Sequence, residues 1–416
     1  MIYLDNAATT PVRREVLEAM WPHLTHRFGN PSSHHRVGEA AAAALMESRR
    51  ALARVLGCRP GEVVFTSGGT EADNLAVKGI ALGTPRGRQI ITTPIEHEAV
   101  LESCEYLRRV HGFEITLLAT DASGRVDPDD LRRAIRQDTT LVSVQYANNE
   151  VGTVQPLPEL SAITREAGVP FHTDAVQAAG WLPLDVGSLG VDALSISGHK
   201  LGAPPGIGAL FVRGRLEIEP VLHGGGQERG KRSGSENVAG AVALATALRL
   251  ADEERTAVAL RISGLRDAFI ATVLSDTPSA QLTGHPVHRL PGTASFVFPG
   301  TSGEAVLLEL EKHDIVCSSG SACAAGSDEP SHVLTAMGIP AAVAQTAVRF
   351  TFAASTTAAD LVEAAASVRG CPLLPSSGIR RCGVFQSSSA LPSQLGCLRR
   401  TARSLRARMV SSGVAK

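Results

Sequence analysis

Between Glu39 and Arg213 the chain alternates two kinds of segment. Short β-rich runs ("EVVFT", "QIITTP", "EITLLA", "TLVSVQYA", "VPFHTDA", "VDALSIS" and "GALFVR") are separated by helix-period stretches such as "AAAALMESRRALARVLG". Alternation at element lengths of about 5 and about 12 residues predicts an α/β domain with a mostly parallel seven-stranded sheet covered by helices on both faces. Ligands of such sheets bind beyond the carboxyl ends of the strands, so the residues just after each run are the ones to search for chemistry.

The 416 residues leave room for a second, smaller unit. The segment "ENVAGAVALATALRLADEERTAVALRISGLRDAFIATVL" reads as helices leading out of the first domain, and "GTASFVFPG" and "KHDIVCSSGSAC" supply strands for an α+β unit. The expected division is a large domain at 13–262 and a small domain made of 1–12 with 263–369. From Gly370 to Lys416 the chain has no Asp or Glu, several Arg, many Ser and three of the seven cysteines. That stretch reads as a divergent, disordered basic tail without chemistry of its own.

Charge and cysteine usage narrow the partners. Forty Lys and Arg against 41 Asp and Glu give a net charge of -1, so neither nucleic acid nor an anionic membrane is indicated, and a small molecule or a protein is expected instead. The seven cysteines lack the paired spacing of a zinc site and the density of a disulfide scaffold, which points to reduced thiols and a cytoplasmic location. The N-terminus has no basic and apolar leader pattern, and no uninterrupted apolar run of about 18 residues occurs.

Five turns after β-rich runs gather reactive residue types. In "VDALSISGHKLGAPPGIG" a strand ends at Ser197 and is followed by His199 and Lys200; most lysines are solvated, but a short loop at a sheet edge is where a Schiff-base lysine belongs. In "VPFHTDAVQAAG", 26 residues upstream, Asp174 and Gln177 follow another strand; Asp174 reads either as a helix cap or as the partner of a pyridinium nitrogen. "FTSGGTEADNLAVKG" places Gly69 and Thr70 between a strand and a helix, a common junction that also suits a phosphate. His97 in "TTPIEHEAV" is either structural or a ring that stacks on a flat cofactor and moves protons, and Asn149 in "QYANNEVGT" reads either as a turn residue or as a cofactor contact.

Three further segments complete the pattern. "HGGGQERGKRSGSEN" has the look of a lipase oxyanion loop, but no G-x-S-x-G elbow accompanies it and hydrolase chemistry is rejected. "AVRFTF" sets Arg349 in an apolar strand, where a substrate carboxylate would satisfy it. "CSSGSACAAGSDEPSH" places Cys323 among small residues, whereas Cys317 closes an apolar strand.

Together "YLDNAATTP", "SGGTEADN", "EHEAV", "NNEVGT", "DAVQ", "SGHK", "HGGGQERGKRSG" and "SSGSAC" resemble, in order from about residue 2 to 368, the cysteine desulfurases of the NifS/IscS group, pyridoxal-phosphate enzymes of aminotransferase class V. The resemblance implies the pyridoxal-phosphate-dependent transferase fold of type I. It implies Lys200 as the cofactor-bearing lysine, Asp174 as partner of the ring nitrogen, Gln177 as donor to the phenolic oxygen, and Gly69, Thr70, Ser197 and His199 as the phosphate cradle. Ser235 would reach the phosphate of a neighbouring subunit, which implies a homodimer. His97 matches the stacking acid/base, Asn149 a contact to cofactor and substrate, Arg349 the carboxylate anchor, and Cys323 the cysteine that becomes a persulfide.

The implied reaction takes sulfur from L-cysteine, leaves L-alanine, and passes the sulfur to an iron–sulfur scaffold or another acceptor protein for cluster assembly or for tRNA or cofactor thiolation. No resident metal is expected, Cys323 at most ligating a cluster transiently with a scaffold. Selenocysteine lyase shares most of these motifs and is the enzymatic alternative. A purely binding or assembly role is not expected, because every catalytic residue type is present.

Overall fold

In a computed structural model that describes residues 1–83, 85–319 and 329–370, the seven β-rich runs all become strands. After a short β1 (Ile2–Tyr3) they are β2 (Val63–Thr66), β3 (Gln89–Thr92), β4 (Glu114–Leu117), β5 (Thr139–Ser143), β6 (Phe171–Asp174), β7 (Ala193–Ser197) and β8 (Gly208–Val212). They form one sheet in the order β2-β8-β7-β6-β5-β3-β4. Only β8 runs against its neighbours, β2 and β7; the other pairings are parallel. Every residue of β5, β7 and β8 is buried, whereas the edge strand β4 is not, as expected when helices cover both faces of a mostly parallel sheet. The tail at 371–416 lies outside the described residues.

A second layer holds β9 (Gln281–Leu282), β10 (Thr293–Val297), β11 (Ile315–Val316) and β12 (Ala347–Thr351). β10 pairs antiparallel with both β12 and β9, and β1 pairs parallel with β11, so the N-terminus joins this unit. Its core is aromatic: Phe269 meets Phe296, Phe350 and Phe352 edge-on, with ring centroids 6.1, 5.1 and 5.6 Å away, the geometry that ring quadrupoles favour.

The segment expected to hold several helices is one helix, Val238–Asp276, 39 residues long. Its first turns bury Ala241, Leu244 and Leu248 in the core of the large sheet, and its later turns bury Ile262, Phe269 and Val273 in the aromatic core. Position 262 therefore falls within a continuous helix that serves both cores. The chain provides no glycine or proline between Ala251 and Ile262 at which to break it.

The loop "HGGGQERGKRSG" has a structural explanation. Glu228, buried and at φ 49°, takes the Arg49 guanidinium in two bonds of 2.7 and 2.6 Å and accepts from the Phe65 amide at 3.1 Å. A buried carboxylate with its lone pairs filled this way locks the loop against β2. No helix among the described residues is long and apolar enough to cross a membrane.

Candidate active site

Beyond the carboxyl ends of the parallel strands lies a cavity of about 320 Å3. Ten of the residues singled out in the sequence line it: Gly69 and Thr70 after β2, His97 after β3, Asn149 after β5, Asp174 and Gln177 at the end of β6, Ser197, His199 and Lys200 at the end of β7, and Arg349 from β12. A second hollow of about 390 Å3 adjoins it and shares Ala7, Val176, Gln177 and Lys200. The smaller one gathers the titratable groups, and it is the one in which chemistry is to be sought.

One end of the cavity suits an anion. The helix Gly69–Gly83 starts there, so its first amides and its dipole favour negative charge. Close approach is enforced by glycine: a Cβ on Gly208 would stand 2.7 Å from the Gly68 backbone, and one on Gly69 would stand 2.8 Å from Val176 Cγ2. His199 is held 3.1 Å from Thr9 Oγ1 through Nδ1, and burial with the Lys200 charge brings it down to about 4, so the ring is neutral near pH 7.

The floor is acidic. Asp174 Oδ1 accepts the Val176 amide at 2.8 Å; burial raises its carboxyl, opposed by His97, that amide and Lys200. His97 caps the helix Glu98–His111, its Nδ1 accepting from the Ala99 amide at 3.0 Å, so the structural reading of this residue and its place in the cavity hold together. Lys200, on the single turn Gly198–Lys200, donates from Nζ to the carbonyls of Ala7 and Ala8, the latter at 2.7 Å. Gln177 Nε2 donates to the same Ala7 carbonyl at 3.1 Å.

Two details depart from the sequence reading. β5 ends at Ser143, so Asn149 is not at the end of a strand; it sits on an irregular turn that Asn148 builds by accepting the Glu150 and Val151 amides at 2.8 Å each. Arg349 already has protein partners, Asp5 Oδ1 at 2.8 Å and the Asn149 carbonyl at 2.8 Å. Asp5 lies 344 residues away in sequence, which hides the pair from any local pattern.

Cys323 lies outside the described residues, which resume at Glu329. The described chain on either side of it is tied to the cavity. Ser318 and Arg349 exchange backbone hydrogen bonds of 3.2 and 2.6 Å; Ser331 Oγ donates to the buried Glu150 at 2.6 Å, and His332 Nε2 is 3.0 Å from the Glu96 carbonyl. Cys317 is half-buried against the aromatic core. Ser235 lines a separate hollow with Phe28, Asn30 and His35 rather than this cavity. No cluster able to hold a metal ion occurs among the described residues.

Several lining residues were not singled out in the sequence: Ala7, Ala8, Asp73 and Gln145. All four lie inside quoted segments, "YLDNAATTP", "SGGTEADN" and "QYANNEVGT", and only the fold shows which of those positions face inward.

The Aminotransferase class-V family profile matches residues 2–363. The chain is 48% identical over 361 residues to the cysteine desulfurase IscS of Dictyoglomus turgidum, covering 86% of this chain and 91% of that one. It is 46% identical over 376 residues to an IscS-like cysteine desulfurase of Mycobacterium tuberculosis, covering 88% and 95%. Among solved structures it resembles a NifS-like protein (TM-score 0.83, 36% identity, 89% of this chain and 98% of that one) and SspA in complex with cysteine (TM-score 0.75, 37% identity, 85% and 99%). A lysine, a buried carboxylate and an anion-binding helix start thus meet on a fold shared with these proteins, and the chain belongs to the aminotransferase class-V family, in its NifS/IscS cysteine desulfurase group.

Proposed function

We propose that this chain, a cysteine desulfurase by family, moves the sulfur of L-cysteine onto Cys323 with the help of pyridoxal phosphate and hands it to an acceptor protein. The observation that carries the reading is the cavity itself: ten residues from six separate segments, each chosen for its chemistry, line one space of about 320 Å3.

The residues suit the cofactor. Gly69, Thr70, Ser197 and His199 would hold its phosphate at the helix start, Asp174 its ring nitrogen, Gln177 its phenolic oxygen and His97 its face, with Lys200 as the attachment point. When bound, pyridoxal phosphate supplies an electron sink for the bond changes at the substrate's carbons. Arg349 and Asn149 would hold the substrate carboxylate, Lys200 would carry the α-proton, and His97 would shuttle protons at the substrate's polar end.

Cys323 as thiolate attacks the sulfur of L-cysteine. The S–S bond forms as the substrate's Cβ–S bond breaks, and the carbon skeleton takes up the protons to leave as L-alanine. Sulfur gained by the enzyme equals sulfur lost by the substrate, and no outside oxidant is needed. Carriage of that sulfur to an iron–sulfur scaffold, or to an acceptor for tRNA or cofactor thiolation, is part of the same reading, as is a cytoplasmic homodimer in which Ser235 serves the neighbour's phosphate. The division at 13–262 against 1–12 and 263–369 is part of the same reading; two separate cores support two units, with Ile262 itself packed in the smaller one.

The test is mass spectrometry of the protein after pyridoxal phosphate and L-cysteine. One added sulfur on the Cys323 peptide, with matching L-alanine and none of either in Cys323→Ala, is expected. Undiminished alanine formation in Cys323→Ala would overturn the role of that thiol.

A further inference from the structure

Asp174 is not alone under the cavity. Asp73, on the helix Gly69–Gly83, and Glu96, in the turn after β3, are 1% and 0% exposed. Three carboxyl groups buried this close cannot all be charged without a matching set of cations.

The surroundings differ from one to the next. Among the described residues Asp73 Oδ1 makes no well-formed hydrogen bond, the Ser195 hydroxyl being its one donor neighbour; a basic group, His172 Nε2, lies at 3.7 Å, and that ring is engaged by Ser143 Oγ at 2.9 Å and Ser195 Oγ at 3.0 Å. Burial brings His172 down to about 3, so it lends Asp73 no positive charge. Glu96 Oε1 accepts from Thr93 Oγ1 at 2.6 Å and from the Gln145 amide at 3.1 Å, while Oε2 has no partner among the described residues. Asp174 feels both His97 and Lys200, whereas Glu96 feels His97 but not Lys200, and Cys104 beside it is a buried neutral thiol. Burial holds Asp73 well above the usual carboxylate range and Glu96 up to about 8, with the Asp174 charge pushing the same way.

We propose that Asp73 and Glu96 are positioning residues that stay neutral beneath the cavity and leave Asp174 as the one carboxylate offered to a cofactor's ring nitrogen. This rests on the reading of Asp174 given above. A neutral Asp73 keeps a second negative charge away from Asp174 while filling the space behind it. A neutral Glu96 accepts from Thr93 and Gln145 and so fixes the turn on which His97 stands. Both would be exchangeable for their amides without loss of shape.

The test is infrared spectroscopy of the full chain at neutral pH, with and without pyridoxal phosphate, where the carbonyl stretch of a protonated carboxyl is separate from that of a carboxylate. D73N and E96Q are each expected to remove a protonated-carboxyl band; removal of a carboxylate band by either overturns the assignment for that residue. Carbon-13 spectra of wild-type protein labelled at aspartate and glutamate give the same answer if a variant does not fold. Affinity for pyridoxal phosphate separates this from the reading of Asp174: E96Q, at a residue that does not line the cavity, should stay within about threefold of wild type, whereas D174N should weaken binding by about a hundredfold, as loss of a buried charge partner does. Unchanged affinity in D174N with the bands as expected would overturn the role of Asp174 instead.

Discussion

The floor and the wall of the cavity handle charge in opposite ways. On the floor, Asp174 is the carboxylate offered to the cavity, with the buried Asp73 and Glu96 held neutral around it, so the demand for positive charge falls on one group. On the wall, Arg349 is 3% exposed and already paired with Asp5 at 2.8 Å. The floor suits a cationic ring that arrives and stays. The wall suits a carboxylate that arrives and leaves, because each departing substrate can be replaced by Asp5 without stranding a buried guanidinium.

That contrast can be broken most sharply at the wall. Arg349→Ala removes the proposed carboxylate anchor and should lower kcat/KM for L-cysteine by about a hundredfold or more, mainly through KM, with cofactor affinity little changed. Steady-state kinetics over a range of L-cysteine check the split. An effect confined to cofactor binding would place Arg349 on the floor's side of the comparison.

Asp5→Asn should act on stability more than on turnover. The guanidinium loses its ionic partner in the substrate-free protein, at a cost of about 1–3 kcal/mol. Thermal unfolding should show the loss, and saturating L-cysteine should restore part of it through binding to the folded state. An unchanged melting temperature would mean that the Asn149 carbonyl suffices.

The floor makes a smaller, graded prediction with pH. Glu96 is raised from 4.5 to about 8, so the folded protein holds a proton that the unfolded chain has released. Stability from this group is complete below about 4.5 and is lost as pH rises toward about 8, at roughly 1 kcal/mol per pH unit. Glu96→Gln removes that slope, so its advantage over wild type should widen across the window. His172, brought down to about 3, gives the opposite slope: its contribution is present above about 6.5 and lost as pH falls.

The same contrast separates what was legible in the sequence from what was not. The seven strands and the residues ending them were legible because a buried parallel strand needs a short apolar run, and its chemistry sits one or two residues beyond. Lys200, Asp174 and Gln177 fell into place on that rule. Asn149 did not, because an Asn148 side chain rather than a strand sets its turn. Asp73 and Glu96 were passed over because an acidic residue at a helix start or in a turn usually faces water, and only the packing of Asp73 against His172 and Ser195, and of Glu96 against Thr93 and Gln145, shows that these do not. The pairing of Asp5 with Arg349 was invisible for a different reason, since it joins the two ends of the chain. The single helix Val238–Asp276 read as several because its buried face changes from one core to the other along its length.

The central claim is that this cavity holds pyridoxal phosphate at Lys200. Borohydride reduction of the protein with bound pyridoxal phosphate, followed by peptide mapping, tests it most directly. The account predicts one covalently attached cofactor per chain, on the peptide containing Lys200; attachment at Lys78 or Lys231 instead, or none at all, would contradict it.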